Sequence, residues 1–202
     1  MSVHLLLALA AFSFIASATP GPNNIMLLAS GATFGFRRTI PHVLGIIAGL
    51  SAMIVLVGLG FDAVFRAVPV LYTVLQVAGG AYLLLLAWRI AGAGGIGGDA
   101  TARAQPITSL GAAAFQWINP KAWVTVVALL SAYAPEDHYL RNVAVVIGVF
   151  VAVALPSVAI WAAFGTAIAR RLDERPERIR AVNLGAAVLL VLSLAPLVLG
   201  LE

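Results

Sequence analysis

Hydrophobic and polar residues along this chain fall into long apolar runs separated by short charged stretches. The first 36 residues contain no Asp, Glu, Lys or Arg. A membrane-spanning helix needs about 20 apolar residues. Charge-poor runs of that length fall at residues 3–30, 40–61, 68–88, 109–133, 142–169 and 181–201. Nowhere is the period-two alternation of a strand sustained. The pattern predicts an all-α integral membrane protein, a single transmembrane domain over residues 1–202 with six transmembrane helices.

Two of the six runs are interrupted. The first carries Thr19-Pro20-Gly21-Pro22-Asn23-Asn24, and the fourth carries Asn119-Pro120-Lys121 shortly after Gln116. Proline lacks the N–H that continues a helix, and glycine loses the most backbone freedom in one. At membrane depth the freed backbone groups must be buried in protein or line a wet cavity. Each break opens with a good capping residue followed by proline, so new helices are expected to start at Pro20 and Pro120. Other landmarks recur in the same order after both breaks. Gly45 and Gly49 match Gly148 and Ala152, and Gly79-Gly80-Ala81-Tyr82-Leu83-Leu84 matches Gly185-Ala186-Ala187-Val188-Leu189-Leu190. The chain therefore divides into three-helix units at 1–90 and 107–202, joined by a glycine-rich linker at 91–106. Three is odd, so the second unit enters the membrane from the opposite side, which is the inverted repeat of many secondary transporters. Gly45, Gly49, Gly79 and Gly148 are expected to face other helices, where missing side chains let backbones approach closely.

Composition agrees with a membrane protein. The chain is 62% hydrophobic and 10% charged, with mean hydropathy +1.03, whereas soluble domains carry roughly 25% charged residues. The net charge of +4 does not indicate nucleic-acid binding, because the arginines sit in loops between apolar runs. Arg37, Arg38, Arg89, Arg103, Arg170, Arg171, Arg175, Arg178 and Arg180 share one side, and only Arg66 and Arg141 fall on the other. By the positive-inside rule the first group is cytoplasmic and both termini lie outside. Leu5 to Ala18 imitates a signal peptide, with Ala16-Ser17-Ala18 as its cleavage site, but no basic residue precedes the apolar run. We read residues 1–30 as part of the mature protein.

The breaks carry the candidate chemistry. A helix that begins inside a membrane presents unpaired N–H groups and the positive end of its dipole, so it attracts an anion. Residues 19–24 and the Asn119-Pro120 start are expected to face each other around a substrate. Asn23, Asn24, Gln116 and Asn119 can hold an amino group or a polar side chain; each can equally serve a helix-to-helix hydrogen bond. Lys121 is the only lysine. A charge at that depth costs at least about 2.5–3.5 kcal/mol unless it finds a partner or water. It can snorkel to the interface or hold a substrate carboxylate, and the absence of a core carboxylate favours the second.

Other chemistry is missing. There is no H-E-x-x-H, no G-x-S-x-G and no cysteine, and His4, His42 and His138 fall near span ends. We expect no enzyme activity, cofactor or metal site. Asp62 is the carboxylate nearest a span and reads as interfacial, with proton coupling as the alternative.

Together, residues 19–24, Gly35-Phe36-Arg37-Arg38, Leu44-Gly45-Ile46 with Gly49, Ala78-Gly79-Gly80-Ala81-Tyr82-Leu83 and Asn119-Pro120-Lys121-Ala122 resemble the lysine exporter/homoserine–threonine exporter (LysE/RhtB) family. In motif the chain is most similar to the subgroup that exports cysteine and O-acetylserine. The resemblance implies a bacterial inner-membrane exporter of amino acids energised by the proton motive force, with protons as coupling ion. Two positions depart from it. The family often has glycine where Thr39 stands, and members handling lysine or arginine carry aspartate where this chain has Leu50. With no acidic partner in the core, a neutral substrate is favoured. A metal-cation exporter of similar repeat architecture is a rival reading, weakened by the scarcity of intramembrane carboxylates. A non-transporting assembly or sensor protein is another, though it has no use for polar breaks at mid-membrane. The small-residue helix faces also allow a homodimer.

Overall fold

A computed structural model describes residues 1–61, 70–92, 105–172 and 175–194, and among these no strand occurs. Helix α1 (Val3–Ala18) starts at Ser2, whose hydroxyl accepts from the Leu5 N–H, and ends at an extended Thr19. Helix α2 (Pro22–Phe34) follows at an angle of 57° to α1. The new helix thus begins at Pro22 and not at Pro20. A residue before proline is pushed into extended backbone, and Gly21, with φ −168° and ψ 179°, takes that role before Pro22. Thr19 closes α1 instead, its hydroxyl donating back to the Ile15 carbonyl. The second break matches expectation more closely. Helix α5 (Ser109–Gln116) ends in a turn at Trp117, Asn119 is extended, and α6 (Pro120–Tyr133) starts with Pro120 in the first turn.

Helix α3 (Phe36–Leu56) is joined to α2 by Gly35 alone. Gly35 has φ +79°, a left-handed conformation that glycine adopts without steric cost. A π-helical turn at Val57–Phe61 extends α3, with Gly60 at φ +94°. Helix α4 (Val70–Gly92) comes next, and α7 (Tyr139–Arg171) runs for 33 residues through Pro156. Helix α8 (Pro176–Leu192) is the last among the described residues. Among the described residues, two helices can by length and composition cross a membrane unaided, Phe36–Gly60 and Tyr139–Arg171, and the bent α1–α2 pair makes a third if it is one span. The fourth expected span is divided between α5 and α6; the stretches expected as third and sixth spans overlap α4 and α8, each of which borders residues outside the description. Most of the 91–106 linker, together with Asp62, Arg66, Asp99 and Arg103, also lies outside the described residues.

Helix α2 packs against α7, α3 against α5 and α7, and α4 against α8. Buried Leu27, Ile46, Met53, Leu129, Val146 and Phe150 make one apolar cluster, while Met26, Leu83, Phe115 and Leu190 belong to a second. Many outward side chains are also apolar. Leu110 is 81% exposed and Trp88 74%, with Leu7, Phe14, Ile160 and Phe164 similarly open. Helices apolar on both faces suit a protein whose exterior meets lipid. His42, expected near a span end, is fully buried in α3, and neither ring nitrogen has a hydrogen-bond partner.

Three of the four expected packing glycines sit at close approaches. A Cβ on Gly45 would lie 2.2 Å from the Ser109 carbonyl oxygen, one on Gly49 2.7 Å from the Ala113 backbone, and one on Gly79 2.0 Å from the Ile118 carbonyl oxygen. All three seat the second broken segment between α3 and α4. Gly148 does not behave as expected: it is exposed on α7, with nothing within 4 Å of its Cβ position. The close approach of α7 uses Gly165 instead, where a Cβ would lie 2.0 Å from the Leu28 carbonyl oxygen, while one on Gly31 would lie 2.1 Å from the Ala162 carbonyl oxygen. Gly148 matched its counterpart in spacing along the chain but lies on a different face of its helix.

Candidate functional site

The two breaks, a hundred residues apart in sequence, meet. Lys121 Nζ donates to the Thr19 carbonyl oxygen at 2.7 Å. The Lys121 side chain occupies the space a side chain at position 21 would need: a Cβ on Gly21 would lie 2.9 Å from Lys121 Cδ and 3.1 Å from Nζ. Asn23 and Gln116 exchange hydrogen bonds, Asn23 Nδ2 to Gln116 Oε1 at 2.8 Å and Gln116 Nε2 to Asn23 Oδ1 at 3.1 Å. Gln116 Nε2 also donates to the Ala112 carbonyl at 2.8 Å. Asn24 Nδ2 donates to the Ser17 and Thr19 carbonyls at 2.8 and 2.9 Å and so ties the start of α2 to the end of α1. Asn142 does the same at the start of α7, donating to the Pro135 and Asp137 carbonyls.

Between the breaks lies a cavity of about 40 Å³. A water molecule needs about 10–15 Å³ of such space, so in this conformation the site has room for a few waters and not for an amino acid. Gly21, Pro22, Asn23, Asn24, Asn119 and Lys121 line it, joined by Ser17 and Thr125. Thr19 takes part through its carbonyl and Gln116 through Asn23. Pro20 is exposed and Pro120 half-buried, and neither lines the cavity. Neither new helix has a side-chain cap, which leaves its first N–H groups without that partner. Lys121 is half-buried, and among the described residues no carboxylate lines the cavity.

The opposite wall is apolar: Ile46 and Leu50 from α3, and Phe150, Ala154 and Val158 from α7. Apart from Leu50 and Ile46, which the family resemblance touched, these carried no signal in the sequence, because one apolar position in a span looks like the next. Wider grooves lie towards the two ends of α3. One of about 880 Å³ runs past Ser30, Thr33, Phe34, Trp88, Arg89 and Ile107. The other, about 720 Å³, runs past Val57, Leu59, Leu130, Pro135 and Glu136. Arg38 stacks over the Phe34 ring at 5.5 Å beside the first.

The model of the LysE type translocator family matches residues 14–199, a stretch that contains both breaks, the cavity and every close-packed glycine described above. The chain belongs to this family. Translocators carry solutes across membranes and are not enzymes. Among curated relatives, the cysteine/O-acetylserine efflux proteins of Salmonella typhimurium (strain LT2) and Escherichia coli (strain K12) are each 34% identical over 158 residues, covering 77% of this chain and 77% of each relative. No solved structure matches the chain.

Proposed function

We propose that this translocator exports a small neutral α-amino acid or amino-acid derivative across the bacterial inner membrane, with the substrate carboxylate held by Lys121 and the Asn119-Pro120 start of α6 and residues 19–24 facing it. The observation that carries this reading is the Lys121 ammonium, which reaches from one break to the other beside a cavity that no carboxylate among the described residues lines. An ammonium at the positive end of a helix dipole is disfavoured unless an anion is also present, and a substrate carboxylate supplies that anion. The names of the efflux relatives favour cysteine-sized cargo. A cavity this small requires the breaks to separate before substrate is admitted, and the grooves at the two ends of α3 give each side an approach. Helices α1 and α5, the leading pieces of the two broken spans, pack on α7 and α3 respectively, and α4 packs on α8. That exchange of partners is what an inverted repeat of units 1–90 and 107–202 requires. Resemblance to proton-driven exporters supports the proton motive force as energy source. Exposed Gly148 and Ala152 on α7 leave a face where a second copy can pack.

Efflux of preloaded amino acids from cells with and without the protein tests the reading. Neutral amino acids are expected to leave faster with it, and lysine and arginine unchanged. Leu50→Asp places a carboxylate on the cavity wall and is expected to shift the ratio of neutral to cationic efflux towards the cations. Equal export of lysine and neutral amino acids by the unaltered protein would refute the neutral-substrate assignment.

Topology is a separate expectation. Cysteines introduced at positions 37, 103 and 175 of this cysteine-free chain should resist membrane-impermeant maleimide in intact cells, and one at position 2 should react. Ready labelling at 175 from outside reverses the orientation.

A further inference from the structure

We propose that Asn119 Oδ1 accepts the α-ammonium group of the substrate, so that the site selects amino acids with a free amine. This rests on the carboxylate reading above. The amides at the breaks are not equivalent. Asn23 and Gln116 satisfy each other, and both N–H groups of Asn24 Nδ2 are engaged by carbonyls. Asn119 differs. It is only 2% exposed, it lies on the cavity wall, and its Oδ1 is buried with no hydrogen-bond partner. It precedes α6 at a position where an Asn side chain ordinarily caps the helix, yet it makes no capping bond. A buried acceptor left open in this way is one a ligand can satisfy.

The placement suits an α-amino acid. Its carboxylate and ammonium are carried on the same carbon, so the groups that read them must be neighbours too. Asn119 and Lys121 flank Pro120 at the start of one helix. The Thr19 carbonyl, which now accepts from Lys121, becomes a second acceptor once the lysine turns to the carboxylate. Both acceptors are neutral. The ammonium charge is therefore balanced by the substrate's own carboxylate, and the site favours a zwitterion. An N-acyl amino acid keeps the carboxylate but offers only one amide N–H to Asn119. A simple carboxylic acid offers none.

The full-length protein in proteoliposomes tests this by competition between each free amino acid and its N-acetyl form, using L-cysteine, L-serine and L-threonine as labelled substrates. The unaltered protein should prefer the free amine by tenfold or more. Asn119→Ser retains a good helix-capping residue but loses reach, so it should insert and transport with the preference reduced to within twofold. A purely capping role predicts that Asn119→Ser keeps the preference, and that result overturns the proposal, as does equal competition by N-acetyl forms in the unaltered protein. The two readings separate through Lys121→Met. If that variant loses transport while Asn119→Ser keeps amine selection, only the Asn119 assignment fails. If Lys121→Met transports fully, or the unaltered protein moves none of the three amino acids, the underlying reading fails and takes this one with it.

Discussion

Lys121→Met is expected to insert in normal amount and to lose export by about 10- to 150-fold, the equivalent of about 1.5–3 kcal/mol for a hydrogen bond to a charged group. Methionine fills much of the same volume without the charge, and the half-buried position next to Gly21 is open to an unbranched chain. The loss is expected in transport and not in folding, because among the described residues no buried carboxylate in the cavity is stranded by removing the ammonium. The Thr19 carbonyl still accepts from Asn24. Lys121→Arg is expected to recover little. A planar guanidinium is broader than an ammonium and distributes its donors in a rigid fork, while the space over Gly21 is taken by a linear chain whose Cδ and Nζ already fill the place of a Cβ there. The measurement is efflux of a labelled neutral amino acid divided by the amount of inserted protein. Full export by Lys121→Met would return the lysine to a merely structural role, with its bond to Thr19 as the whole of its purpose.

The sequence made the breaks legible because proline and glycine have strong local consequences, and a proline in an apolar run has few other uses. It did not fix which proline starts the helix. Pro20 and Pro22 both qualify, and the choice depends on Gly21 extending before Pro22 while Thr19 folds back on α1. The four amides were legible as scarce polar groups but not in their separate roles. Which of them bond to each other depends on α2 and α5 lying side by side, a long-range fact that no local pattern encodes. The apolar wall from α7 was invisible for the same reason. The family resemblance added one residue the pattern could not: Leu50, marked as a departure, proves to line the cavity.

Packing glycines show where repeat matching helps and where it misleads. Gly45, Gly49 and Gly79 were found because they belong to a motif, and each meets the α5 segment or the turn after it. Gly148 was chosen by its distance from Pro120. On a helix with 3.6 residues per turn, Gly148 and Gly165 point about 100° apart, so when Gly165 faces α2, Gly148 turns away from it. Distance along the chain cannot settle this. The face is set by where α2 docks, and α2 docks through Gly31, a glycine without a motif to mark it.

That contact gives the largest expected effect on folding. Replacing glycine by alanine within a helix ordinarily stabilises it by about 0.8–1 kcal/mol, and Gly148→Ala, with open space at its Cβ position, should show that gain or no change. Gly31→Ala and Gly165→Ala should do the opposite. Each new methyl would lie 2.0–2.1 Å from a carbonyl oxygen of the facing backbone, and backbone cannot swing aside as a side-chain end can. Overpacking of this kind costs about 1–3 kcal/mol. Separating α2 from α7 would also stretch the Thr166 hydroxyl's bond to the Gly31 carbonyl, now 3.0 Å. The net expectation for Gly31→Ala or Gly165→Ala is a lower melting temperature and a smaller folded fraction in detergent, read by size-exclusion chromatography after a heating series. Because α2 carries half of the first break, export per folded molecule should fall as well. A Gly165→Ala protein that melts with the unaltered one would mean that the two backbones are not in contact, and the placement of α2 on α7 would have to be abandoned.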